Sequence, residues 1–106
     1  MEIRHYVTTD GVDPFQDWLD DLDDVRTRVA VLRRVDRLAG NHFGDRKFCR
    51  DGVWELRIDL GPGYRIYYVM VHKSEVLLLC AGSKRTQVSD IKAAVRLWRD
   101  YQQRQA

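Results

Sequence analysis

Several residue types are thin in this chain: two cysteines, two prolines and three histidines among 106 residues. Cys49 and Cys80 stand far apart, without a CxxC spacing or clustered histidines, which argues against a metal site and for two free thiols in a reducing compartment. Cys80 falls in an apolar run and reads as core. No apolar stretch is long enough to span a membrane, and no charged-then-apolar leader follows Met1. A cytoplasmic location with no membrane partner is therefore expected. Phosphate-cradling glycine motifs are also missing, because no helix follows Gly61-Pro62-Gly63, which is a turn. There is no repeat or low-complexity tract, a Ser/His/Asp arrangement has no local support, and no cofactor is implied.

What is present is the composition of a soluble globular chain, 44% hydrophobic and 32% charged. Residues 1–106 make one domain, long enough to bury about two-thirds of its unfolded surface without metals or disulfides. The net charge of +2 hides an uneven distribution. The segment from Asp10 to Asp24 carries seven acids and no base, whereas Trp54 to Ala106 carries nine bases against five acids. One side of the molecule is thus suited to hold a polyanion.

The stretch from Val53 to Arg85 reads as three strands joined by tight turns. From Val53 to Leu60, Trp54, Leu56, Ile58 and Leu60 alternate with Glu55, Arg57 and Asp59, the period of a half-buried strand whose first group points into the core. Tyr64–Val71 and Val76–Ala81 are apolar on both faces, as inner strands are. A three-residue loop over Leu60, Gly61 and Pro62 sets Ile58 opposite Tyr64, Leu56 opposite Ile66 and Arg57 opposite Arg65. With Lys73 and Ser74 as the centre of the next turn, Val71 faces Val76 and Arg65 faces Gly82. Strand parity then brings Lys84 to the face of the two arginines. Like charges directly opposite each other cost a sheet roughly 0.2 to 1 kcal/mol, so this convergence suggests an anion site, with Gly82 leaving room for it. The plainer reading is three solvated charges with Glu55 and Asp59 as local partners.

Before this meander, Glu2–Thr8 alternates weakly and is taken as a strand beside it, with His5 structural. Asp13-Pro14 starts a helix whose Phe15, Trp18, Leu19 and Leu22 form a core stripe. The surrounding aspartates scatter and are assigned no chemistry. A second helix spans Asp24–Ala39, with Val25, Val29, Leu32, Val35 and Leu38 buried and Arg26, Arg33 and Arg37 outside. The short joint makes an antiparallel hairpin packed on one face of the sheet. Asn41–Asp51 follows as a basic loop with room for a short strand at Arg46–Cys49, and its Lys47 and Arg50 are suited to flank a phosphate backbone. After Arg85, Ser89 or a neighbour caps a last helix with Val88, Ile91, Val95 and Trp98 at helical spacing. Its apolar face wants a partner, either the sheet or another protein, and Gln102–Ala106 is expected to fray. The layout is α+β: strand, helix, helix, three strands, helix, with a small antiparallel sheet backed by the helical hairpin and a C-terminal helix.

The order of elements, with WELRIDLGPGYRIYY, the following apolar strand and AGSKRTQVSDIKAA, resembles the RelE/ParE superfamily of type II toxin-antitoxin toxins, closest to its HigB-like addiction module killer branch. The resemblance covers nearly the whole chain. It implies a RelE-like fold and a ribosome-dependent endoribonuclease that cuts translated messenger RNA. It also implies an antitoxin partner, in this branch usually a small helix-turn-helix DNA-binding protein. Carried over by residue, the basic active site falls on Arg57, Arg65, Lys84 and Arg85. One departure is that the tyrosine that RelE-type nucleases carry in the last helical segment has Ile91 as its nearest match here, so any acid, base or stacking role of that tyrosine is unfilled. ParE-like members share the fold and act on DNA gyrase instead, so fold alone does not choose the target.

A metal-independent ribonuclease must deprotonate a ribose 2′-OH, stabilise a phosphorane-like transition state and protonate the leaving oxygen. Arginine serves only the second task, so Arg57 and Arg65 are candidate phosphate clamps. Lys84 is the best available proton carrier, Glu55 the alternative base, and Tyr67 a candidate to stack on a nucleobase. The competing class is a binder without nuclease activity: a gyrase inhibitor, or an RNA-binding module that only grips phosphates.

Overall fold

The computed structural model describes residues 1–105 as five strands and three helices in the order β1 (Glu2–His5), α1 (Pro14–Asp20), α2 (Val25–Ala39), β2 (Arg46–Arg50), β3 (Val53–Ile58), β4 (Tyr64–Val71), β5 (Glu75–Ser83) and α3 (Gln87–Gln105), with a 3-10 turn at Lys84–Thr86 before α3. The basic loop does carry a strand, so the sheet has five strands in the order β1-β5-β4-β3-β2. β2 to β5 pair antiparallel in sequence, while β1 lies parallel to β5 with Ile3 opposite Val76.

Local chemistry sets the helix starts. The Asp13 carboxylate accepts from the Gln16 N–H at 3.0 Å, with Pro14 in the first turn, where its missing N–H costs nothing. Asp24 caps α2 in the same way, accepting from Arg26 N–H and Thr27 Oγ1. α3 is helical to Gln105, through most of the Gln102–Ala106 segment expected to fray, and Ala106 lies outside the described residues.

Both faces of the sheet are covered, which is why β4 and β5 are apolar throughout. On one face α1 and α2 enclose Phe15, Leu19, Val31, Leu38, Leu56, Ile58, Ile66, Tyr68 and Leu78. On the other, α3 lays Ala94 and Val95 over Tyr67, Val69, Leu77 and Leu79. The partner of the C-terminal helix is therefore the domain's own sheet.

Two expectations are corrected. α2 buries Thr27, Val31 and Leu38, and leaves Val25, Val29 and Leu32 at 61%, 40% and 49% exposure. The helix is turned by roughly a third of a revolution from the expected stripe, which brings Arg34 inward to backbone carbonyls of the β3 edge. The second hairpin also differs near its loop. His72 adopts φ 57°, making His72–Ser74 a three-residue connection, so Val71 faces Glu75 and not Val76. A bulge between Tyr67 and Tyr68 takes up the shift, and Arg65 meets Gly82 as expected. The β3–β4 register matches the expectation throughout, with Arg57 opposite Arg65.

Candidate functional site

Glu55, Arg57 and Arg65 share the α3 face of the sheet at the end where α3 begins. Glu55 lies two residues before Arg57 on β3, and Arg65 is the cross-strand neighbour of Arg57. Arg57 Nε donates to Glu55 Oε2 at 2.9 Å. Arg65 Nε lies 3.0 Å from the same oxygen, an ion-pair contact without hydrogen-bond alignment. The other carboxylate oxygen accepts from Gln87 Nε2 at 2.8 Å and from the Cys49 thiol at 3.4 Å. The Glu55 side chain is 1% exposed, against 12% for Arg65 and 32% for Arg57. Burial pushes the Glu55 carboxyl up, and the hydrogen bonds from Arg57, Gln87 and Cys49 outweigh it, so the group titrates below its ordinary value. Burial and the same carboxylate push the Cys49 thiol up to about 12, which keeps its proton on the sulfur as the donor.

Glu55, expected as an alternative base, is thus a buried counter-ion with both oxygens engaged. It also supplies the anion that relieves repulsion between the two arginines. The space above Gly82, expected to admit an external anion, is filled: a Cβ there would come within 1.9 Å of Asp90 Oδ2 and 2.7 Å of Thr86 Oγ1. Tyr67 is also corrected. It is fully buried, its hydroxyl has no hydrogen-bond partner among the described residues, and burial raises its pKa, so it presents no face to a base.

The guanidinium ends of Arg57 and Arg65 line an open cleft of about 370 Å³ together with Lys84, Asp45, Asp59 and the Gly61-Pro62-Gly63 turn. Gly63 adopts φ 82°, and its carbonyl accepts from Lys84 N–H at 2.9 Å, which draws the 3-10 turn against the β3–β4 loop. Lys84 forms no ion pair among the described residues. Arg85 is exposed on the same turn, outside the lining of this cleft.

Lys47 and Arg50 line a neighbouring cleft of about 310 Å³ with Cys49, Glu55, Gln87, Val88, Ile91 and Lys92. Glu55 stands between the two clefts. Together they hold six cations, Lys47, Arg50, Arg57, Arg65, Lys84 and Lys92, against the three carboxylates Asp45, Glu55 and Asp59. That excess gives the region a positive potential although the chain as a whole is near neutral.

Three contributors went unnoticed in the sequence. Gln87 ties α3 to Glu55, and Lys92, one turn beyond Val88, extends the basic rim. Arg34 donates from α2 to the carbonyls of Arg57, Phe43 and Asp45, fixing the β3 backbone and the wall of the first cleft. Its position on the nominally outer helical face gave no signal of this.

Residues 17–99 match the family described as Phage derived protein Gp49-like (DUF891). A protein of Haemophilus influenzae (strain ATCC 51907 / DSM 11121 / KW20 / Rd), described as uncharacterized, is 45% identical over 80 residues, covering 76% of this chain and 81% of its own. The family match takes in most of α1, all of α2, all four antiparallel strands and most of α3. This chain belongs to the Gp49-like family of phage-derived proteins, a RelE/HigB-like toxin family.

Proposed function

We propose that the protein is the toxin of a type II toxin-antitoxin pair, of the HigB-like addiction module killer branch, and that it acts as a metal-independent, ribosome-dependent endoribonuclease on translated messenger RNA. The observation that carries this reading is the cleft in which Arg57, Arg65 and Lys84 converge on one open space. Glu55 holds both arginines through Nε and Arg65 Nη1 donates to the Tyr64 carbonyl at 3.3 Å, so the other N–H groups of the pair are left for a phosphate, an arrangement fixed before substrate arrives. Arg57 and Arg65 clamp the scissile phosphate, and Lys84 carries the proton. Arg85 meets the incoming strand at the rim, while Lys47 and Arg50 hold the backbone beyond it. With Glu55 taken as counter-ion, Asp45 and Asp59 are the carboxylates left in the cleft to accept a proton from the 2′-OH. A site without histidine gains from a substrate positioned by the ribosome, in the cytoplasm where translation occurs. The expected partners are therefore the ribosome with its message, and a cognate antitoxin, usually a helix-turn-helix DNA-binding protein in this branch.

A second reading, a ParE-like gyrase inhibitor, draws on one observation: Glu55 already balances part of the arginine charge, so the cations are accounted for in part without RNA. Induced expression followed by mapping of transcript ends separates the two. Cuts within translated codons support the nuclease, and intact messages with induced DNA damage support the gyrase inhibitor.

A further inference from the structure

We propose that the cleft between β2 and the start of α3 is a nucleobase pocket for single-stranded RNA, taking the nucleotide next to the one whose phosphate Arg57 and Arg65 grip. The proposal rests on the ribonuclease reading and adds a base-binding subsite to it.

Three observations carry it. The first is continuity. Glu55 lines this cleft and is bonded to the two arginines that line the other, with one oxygen toward Arg57 and Arg65 and the other toward Gln87 and Cys49. Glu55 and Arg57 are two residues apart on β3, about 7 Å along the strand, a distance one unstacked nucleotide spans. The second is the lining. Ile91 and Val88 provide apolar surface, with Val88 72% exposed at the mouth. Gln87 gives one N–H to Glu55, which leaves its carbonyl and second N–H for the edge of a base. The third is charge. Lys47 and Lys92 stand at the rim with no ion pair among the described residues, where the phosphates flanking an inserted base would pass. A space of about 310 Å³ is at the small end of ligand pockets and suits one base better than a folded segment.

The test is a titration of the intact protein with a 2′-O-methyl RNA trinucleotide, which cannot be cleaved, and with the same trinucleotide lacking one base. Affinity is read by fluorescence anisotropy, and the Val88 and Ile91 methyl signals by NMR. The base-bearing probe should bind about tenfold tighter, and it alone should shift both methyl signals. Lys92→Ala, at an exposed position, should weaken both probes and lower the salt slope of each by about one. Equal affinities, or silent methyl groups while the arginine signals respond, overturn the pocket and leave the nuclease reading intact. A glutamate-rich peptide that shifts the two methyl signals as the RNA does also overturns it, by making the cleft a peptide site. Because neither probe is cut and no ribosome is present, transcript mapping remains an independent test of the nuclease.

Discussion

The two faces of the sheet use the same strands and are finished in different ways. Against α1 and α2 the face is closed with hydrocarbon and rings: His5, Phe15, Trp18 and Tyr64 form a chain with centroid spacings of 5.2, 6.1 and 5.8 Å. Against α3 the face is apolar only under the body of the helix, where Val95 and Ala94 meet Tyr67, Val69 and Leu79. Where α3 begins, the covering stops and Glu55, Arg57 and Arg65 take over. Removing a carboxylate and an arginine from water costs several kcal/mol per ion before their attraction returns it. An apolar trio would hold the same strands at no such cost, so the polar end is better explained by binding than by stability. The first face makes the fold, and the second presents the candidate site upon it.

The largest effect expected from breaking this arrangement is at Glu55. Glu55→Ala leaves two facing arginines without their counter-ion and Gln87 without its acceptor, and should cost about 3 kcal/mol in urea unfolding. A loss under about 1 kcal/mol, the range of an exposed pair, would make the network a surface feature. Next is Gly82→Ala, whose methyl group meets the Asp90 carboxylate and Thr86 hydroxyl at the start of α3. It should lower stability by about 2 kcal/mol through overpacking, read as a lower melting temperature.

The pH response is smaller and signed. Since the folded Glu55 titrates below its ordinary value of 4.5, the stability it contributes is complete above that value and is lost as the pH falls through the lower folded value. Glu55→Gln should therefore flatten the acid limb of the stability profile and leave its neutral-pH slope unchanged. An identical acid limb in both proteins would show that the carboxylate is not held. The smallest effect belongs to the other face: Leu32→Gln, on the outward stripe of α2, should change stability by less than about 0.5 kcal/mol, and a larger loss would restore Leu32 to the core.

Much of the fold was legible because it follows from short-range rules. The turn at Gly61-Pro62-Gly63 fixed the β3–β4 register, and with it the pairing of Arg57 with Arg65. Asp13-Pro14 marked a helix start that geometry bears out. What could not be read depends on tertiary contact. An apolar stripe on α2 is present in the sequence, but the helix is rotated from it, and Arg34 reaches backbone carbonyls that only the fold brings near. The placement of Lys84 beside the arginines followed from strand parity, whereas the burial of Glu55 did not, because alternation assigns a face and says nothing of what covers it. Tyr67 failed for the same reason: its face was right for the site, but α3 covers it.

The most direct measurement is single-turnover cleavage of message on programmed ribosomes by the wild-type protein, Lys84→Ala and Lys84→Arg. Lys84 is exposed and forms no ion pair among the described residues, so both variants should keep the fold. If the cleft cuts RNA with Lys84 carrying the proton, both substitutions should slow cleavage by about 10² or more while ribosome binding hardly changes. Wild-type rates in both would contradict the assignment of this cleft as the catalytic site, and a fully active Lys84→Arg beside an inactive Lys84→Ala would reduce Lys84 to an electrostatic contact.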